Sequence, residues 1–141
     1  MSEKPVRPRL ILFGCALLAA VVVCVSAYPE PLATSASAQF ETRCGWFSNP
    51  TPANIWLYDR EGEWTIGVQG GYQVEGDWDW PEFKPKQWVE TNNHYGYGCV
   101  CMQLRVNKET RQVIEIKSSR ARPLSACRRD RALNRWKDNL E

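Results

Sequence analysis

The sequence predicts an α+β fold: a small twisted antiparallel sheet of five or six strands with one C-terminal helix, stapled by disulfides. Three observations carry this expectation. Short apolar runs with period-2 alternation, separated by turn residues, fill Ile55 to Ser118. A helical pattern appears only after Pro123. Four cysteines, Cys44, Cys99, Cys101 and Cys127, fall within residues 40–141, an even number of the kind that exported domains pair.

The chain has 141 residues, and its first part reads as an address. Lys4, Arg7 and Arg9 precede an apolar run from Leu10 to Val25, and Val25-Ser26-Ala27 offers small residues for cleavage. That order is a secretory signal over residues 1–27, too short in its apolar part for a retained span. Neither Cys15 nor Cys24 has the setting of a lipid-anchored cysteine. Residues 28–39, rich in Pro, Ser and Ala, form a flexible lead-in. Residues 40–141 form a single domain. The expected location is periplasmic or secreted, with no membrane span after cleavage.

The domain elements follow in order. Asn49-Pro50-Thr51-Pro52 is a turn or extended segment, since each Pro restricts itself and its predecessor. Ile55–Tyr58, the turn Asp59–Gly62 and Glu63–Val68 form a hairpin. Gln69–Gly71 is a second turn, and Tyr72–Val74 the next strand. Gly76–Gln87, with Trp78, Trp80 and Phe83 among acids and prolines and no period, is a long loop lying on the domain. Trp88–Thr91 is a strand, and Asn92-Asn93 suits a turn with positive φ. In Cys99–Val106, Val100, Met102, Leu104 and Val106 point one way and the cysteines the other. The disulfides should therefore strap other segments onto the back of the sheet. Asn107–Arg111 turns the chain, Gln112–Ser118 returns it, and a basic link leads to a helix from Pro123 to about Leu140. Ala132, Leu133, Trp136 and Leu140 share one face of that helix, and Arg128, Arg131 and Arg135 another.

A Cys99–Cys101 bridge is sterically poor within one strand, so each bonds outward, one to Cys44 and one to Cys127. Both of those pairings remain open. A redox Cys-x-Cys would want an activated thiolate, and zinc would want closer ligand pairs, so neither a metal nor another cofactor is expected.

Charge excludes one class of partner. The whole chain has 18 Lys and Arg against 16 Asp and Glu. Three of those bases and one acid belong to the leader, so the domain is neutral and no nucleic-acid binder. The charge is uneven: Asp59–Glu90 holds eight acids and three bases, Arg105–Lys137 eleven bases and three acids.

The segments Arg43-Cys44-Gly45-Trp46-Phe47, Asn49-Pro50-Thr51-Pro52-x-Asn54, Trp64 and Gln69-Gly70-Gly71-Tyr72 resemble a bacterial family. So do Tyr95-Gly96-Tyr97-Gly98-Cys99-x-Cys101 and Cys127-Arg128-x-Asp130-x-Ala132-Leu133. The family is that of the domain of unknown function number 4087. The resemblance implies a small exported bacterial protein and assigns no activity.

Candidate chemistry is sparse. His94 is the single histidine of the chain. With a loop carboxylate it could serve a small periplasmic hydrolase, but no nucleophile or metal motif accompanies it. The seven tryptophans say more. Trp46, Trp56, Trp64 and Trp136 suit a core, whereas Trp78, Trp80 and Trp88 sit where aromatic contacts to a ligand are made. The expectation is a non-catalytic, monomeric exported binding module. Its contact surface is the Gly76–Phe83 loop with the Asn92–Gly98 turn, through Trp78, Asp79, Trp80, His94 and Tyr95. The Arg128, Arg131 and Arg135 stripe is a second anion-gripping surface. The expected partner is an unidentified protein or a cell-envelope glycan.

Overall fold

The computed structural model describes residues 39–140; the expected leader and nearly all of the lead-in lie outside them. Six strands form: β1 (Glu41–Thr51), β2 (Asn54–Tyr58), β3 (Glu63–Gly67), β4 (Trp88–Asn92), β5 (Tyr95–Asn107) and β6 (Gln112–Arg122). A short helix, α1 (Leu124–Arg129), and a run of 3₁₀ turns (Arg131–Asn139) end the chain. The α+β expectation holds, as do the hairpin, the long loop and the strand at Trp88.

Local chemistry sets the turns. Asp59 Oδ1 accepts from the amides of Glu61 at 2.7 Å and Gly62 at 2.8 Å, closing the β2–β3 hairpin. Asn107 Oδ1 does the same for Glu109 and Thr110 between β5 and β6. Asn93 takes the expected positive φ, 53°, between β4 and β5.

The pairing is antiparallel except at one place. β1 pairs with β2, β2 with β3, and β5 with both β1 and β6. β3 meets β6 in parallel at Thr65 and Gln112, where Thr65 N donates to Arg111 O at 2.8 Å. That contact closes β1-β2-β3-β6-β5 into a ring, so these strands form a small barrel. β5 is the spine. Its Cys99–Asn107 stretch pairs with β6, and the adjoining Tyr95–Gly98 pairs with β4.

Two cores result. Inside the ring lie Phe47, Leu57, Trp64, Ile66, Val100, Met102, Leu104, Val106 and Val113, all buried. Outside it, Trp46, Tyr58 and Cys99 are covered by Leu124, Cys127, Leu133 and Leu140 of the C-terminal segment. Each large side chain so buried contributes roughly 1.5–3 kcal/mol.

Several expectations need correcting. Where the sequence reading places no strand, Glu41–Thr51 is a full strand between β2 and β5, ending in Asn49–Thr51, which is extended as the prolines there predict. Its buried run Gly45–Asn49 shows no alternation because the ring core covers one face and the C-terminal segment the other. Tyr72–Val74 makes a single bridge, Gly67 to Gln73, rather than a strand. The basic link is not a link: Ser119–Arg122 continues β6 opposite Cys99–Met102.

The C-terminal helix breaks at Asp130, whose φ and ψ of −79° and 106° are extended. Asp130 then caps the 3₁₀ turns by accepting from Ala132 N at 3.1 Å. Ala132 is exposed, while Leu133 and Leu140 are buried and Trp136 is partly so.

The pairing of cysteines is Cys44 with Cys101 and Cys99 with Cys127. The second straps the C-terminal helix to the back of the sheet, as expected. The first does not strap a distant segment; it joins residues directly opposite on the neighbouring strands β1 and β5.

The two ends of the ring differ. At one, the buried Arg43 bonds Asp59 at 2.6 Å and Glu41 and Glu61 at 2.9 Å, and lies 4.1 Å over the Trp64 ring. Burial alone would lower the Arg43 pKa, but its bonds to Asp59, Glu61 and Glu41 outweigh it and hold the guanidinium charged. The other end is the mouth, and aromatic side chains fill it.

Candidate aromatic cleft at the barrel mouth

The Gly76–Gln87 loop has no repeating backbone structure, so its side chains and a few bonds fix it. Gly76 enters with a φ of 84°. Ser119 Oγ donates to Asp79 O at 2.7 Å, and Pro81 is fully buried. Phe83 packs at 4.8 Å from Trp88 and 6.2 Å from Phe47, ring centre to ring centre. A turn closed by Gln87 N donating to Lys84 O returns the chain to β4.

Phe83 has room only because residue 98 is glycine. A Cβ there would stand 2.7 Å from Phe83 Cζ and 2.8 Å from Cδ1. The Gly98 backbone cannot yield, since it pairs with Phe47 of β1 on one side and Trp88 of β4 on the other.

This packing presents Trp80. It meets the fully buried Phe47 in a T-shaped contact at 5.0 Å and 90°, and Trp78 stacks on it at 5.3 Å and 26°. Trp80 nevertheless stays 45% exposed, an apolar surface held by the core rather than hidden in it.

Across from it, the β4–β5 turn positions His94 and Tyr95. Trp88 Nε1 donates to His94 O at 3.2 Å, and the His94 and Tyr95 rings lie 4.2 Å apart. Between loop and turn lies a cleft of about 390 Å³ lined by Asn49, Trp80, Phe83, Trp88, His94 and Tyr95, with Pro81. Asn49 belongs to the inward row of β1 and pairs with Gly96 at the last step of the β1–β5 ladder. It is 8% exposed, and its amide nitrogen is satisfied by donating to Thr51 O at 2.6 Å and Asn54 O at 3.3 Å. That orientation leaves Oδ1 as the accepting end.

The structure thus brings Trp80, His94 and Tyr95 into one cleft, and Trp80 also borders a second groove that His94 and Tyr95 do not reach. Asp79 lines that larger groove, of about 900 Å³, with Glu82, Lys84 and Arg120, and the lining of the His94 cleft contains no carboxylate. Trp78 lines neither; it is half-buried and backs Trp80. No sequence signal marks Asn49 as a site residue, embedded as it is in Pro-containing chain. The signal for Phe83 and Trp88 was their aromatic character beside a loop.

The arginine stripe does not form as a stripe. The break at Asp130 ends the helical spacing that would align Arg128, Arg131 and Arg135. Arg128 and Arg131 are exposed. Arg135 is engaged: it donates to Arg60 O at 2.7 Å and lies 4.6 Å over Trp136. Arg60 in turn donates to Asp130 at 2.7 Å, and this bond, with the Ala132 amide, holds the Asp130 carboxyl below the usual carboxylate range despite opposing desolvation.

Two disulfides fit an oxidising compartment rather than the cytoplasm. Among the described residues no helix is long and apolar enough to cross a membrane.

A model of one family, described as Protein of unknown function (DUF4087), matches residues 38–134. Neither a curated protein nor a solved structure matches the chain.

Proposed function

We propose that this chain, which belongs to the DUF4087 family, is an exported, non-catalytic module that binds a cell-envelope glycan in the cleft at its barrel mouth. One observation carries the proposal: Trp80 packs against Phe47 and Trp78, yet it stays nearly half exposed and lines the cleft. A preorganised aromatic face loses little conformational entropy when a ligand settles on it. The C–H face of a sugar ring is a flat, weakly polar surface that suits such a ring. Around it, Asn49, His94 and Tyr95 supply the hydrogen-bonding groups that sugar hydroxyls need. A volume near 390 Å³ lies within the usual range for small-ligand sites and takes one or two sugar units.

The leader-like sequence and the paired cysteines support a periplasmic or secreted location. A hydrolytic role would need a carboxylate beside His94, and the cleft lining offers none.

The test is titration of the oxidised protein with peptidoglycan fragments, following tryptophan emission. Saturable change is expected, and Trp80→Ala should weaken binding by about tenfold or more, on the order of 1.4 kcal/mol. A flat titration, or equal affinity of Trp80→Ala, would overturn the glycan proposal.

A further inference from the structure

We infer that Cys44–Cys101 is a thiol–disulfide exchange site for low-molecular-weight thiols, while Cys99–Cys127 is the permanent staple. The inference is independent of the aromatic cleft. It starts from an asymmetry between the two bonds. Cys99 and Cys127 are 2% and 3% exposed, sealed between the sheet and the C-terminal segment. Cys44 is exposed and Cys101 half-buried. Two surface clefts adjoin them: one of about 500 Å³ includes Cys101, the other of about 360 Å³ includes Cys44. A tripeptide-sized thiol can therefore reach this bond and not the other.

The bond is also dispensable to the sheet in a way its companion is not. It links strands already paired over nine successive residues, Glu41–Asn49 against Leu104–Gly96. Opening it leaves that ladder hydrogen-bonded.

The register adds a chemical element. Cys44 lies opposite Cys101, and Cys101 lies opposite Arg120 on β6. Directly opposed residues share a face, so the three stand in one row across β1, β5 and β6. Arg120 and Cys101 line the same cleft. A guanidinium there favours a thiolate on Cys101. On the other side, Arg43 is shared by Asp59, Glu61 and Glu41, and Arg60 pairs with Asp130. The Cys44 cleft thus keeps a net negative charge, and the guanidinium of Arg120 lies on the Cys101 side alone.

The exchange balances as follows. An incoming thiolate attacks the exposed Cys44 Sγ, and the Sγ–Sγ bond breaks. Cys101 leaves with the electron pair as a thiolate beside Arg120. A second thiolate attacks the small thiol's sulfur in the mixed disulfide, releasing the oxidised small-molecule disulfide and the Cys44 thiolate. Two electrons pass to the protein, and both cysteines can take a proton.

Reduced glutathione is the probe. The folded, oxidised protein is incubated with it, quenched by alkylation and mapped by peptide mass. The expected result is a glutathione adduct on Cys44, then alkylation of Cys44 and Cys101 with Cys99–Cys127 intact and tryptophan emission unchanged. Arg120→Gln should slow the first step at least threefold, and Arg120→Lys should restore most of the rate. Labelling of all four cysteines together, or none short of denaturation, would overturn the inference. Equal rates for the wild type and Arg120→Gln would overturn the part assigned to Arg120.

Discussion

Replacing Gly98 by alanine is the sharpest perturbation of the link between the barrel and its cleft. The added Cβ would lie 2.7–2.8 Å from two Phe83 ring atoms and closer still to Cε1. Ordinary carbon contacts are about 3.5–4.0 Å, so the ring must retreat by roughly 1 Å or more. It has nowhere free to go, because Trp88 stands 4.8 Å behind it and Phe47 is fully buried. The backbone is pinned by β1 and β4 on both edges. Overpacking of this kind costs about 1–3 kcal/mol, and in a domain of about 100 residues each 1 kcal/mol lowers Tm by about 4–8 °C. Gly98→Ala should therefore melt roughly 4–24 °C lower in its oxidised form and lose glycan affinity, since Trp80 rides on the same loop. Phe83→Leu should cost about 1 kcal/mol alone. Added to Gly98→Ala, it should recover part of the lost stability rather than deepen the loss. Denaturant unfolding of the four proteins completes this cycle. Equal stability of Gly98→Ala and wild type, or strict additivity in the double variant, would refute the clash and with it the clamped loop.

Burial first, and the Glu63 charge second, push the Tyr58 phenol up to about 12. Its raised pKa gives stability that is complete below pH 10 and lost as pH rises from 10 towards 12, by up to about 3 kcal/mol; Tyr58→Phe should flatten most of that alkaline limb in urea titrations. Arg43→Met strands Asp59, which is 4% exposed, and should cost about 3–5 kcal/mol, part of which Arg43→Met with Asp59→Asn recovers. Asp130→Ala removes the cap between α1 and the 3₁₀ turns and should cost about 1 kcal/mol above pH 5. Because the native carboxyl is held below its usual range, that contribution persists above the ordinary carboxylate pKa and fades as pH falls below it. A difference in stability between the two proteins that is constant down to pH 2 would contradict it.

Alternation made β5 legible in the sequence, and its loss hid β1. β5 declared itself through Val100, Met102, Leu104 and Val106. β1 hid because Trp46 and Phe47 are both buried, one against each core, which erases the alternation. Ring closure rests on one parallel pair, Thr65 with Gln112, and no local pattern announces such a contact. The disulfide pairing depends on which residue of β5 faces Cys44, a matter of register between strands more than fifty residues apart. The sequence reading runs the helix through Asp130, whose capping character inside an apolar pattern is the signal that could have shown the break. For the candidate site, exposed aromatics in a loop without period were visible. Asn49 entered the cleft only because the β1–β5 ladder ends beside it.

The most direct test of the binding claim is a two-dimensional amide and indole spectrum of the ¹⁵N-labelled domain during titration with peptidoglycan fragments. The seven tryptophans give seven indole signals. The account predicts saturable shifts in the Trp80 and Trp88 indoles and the amides of Asn49, His94 and Tyr95, with Trp46 and Trp136 unmoved. Shifts confined to the C-terminal segment, or a spectrum unchanged at saturating fragment, would contradict it.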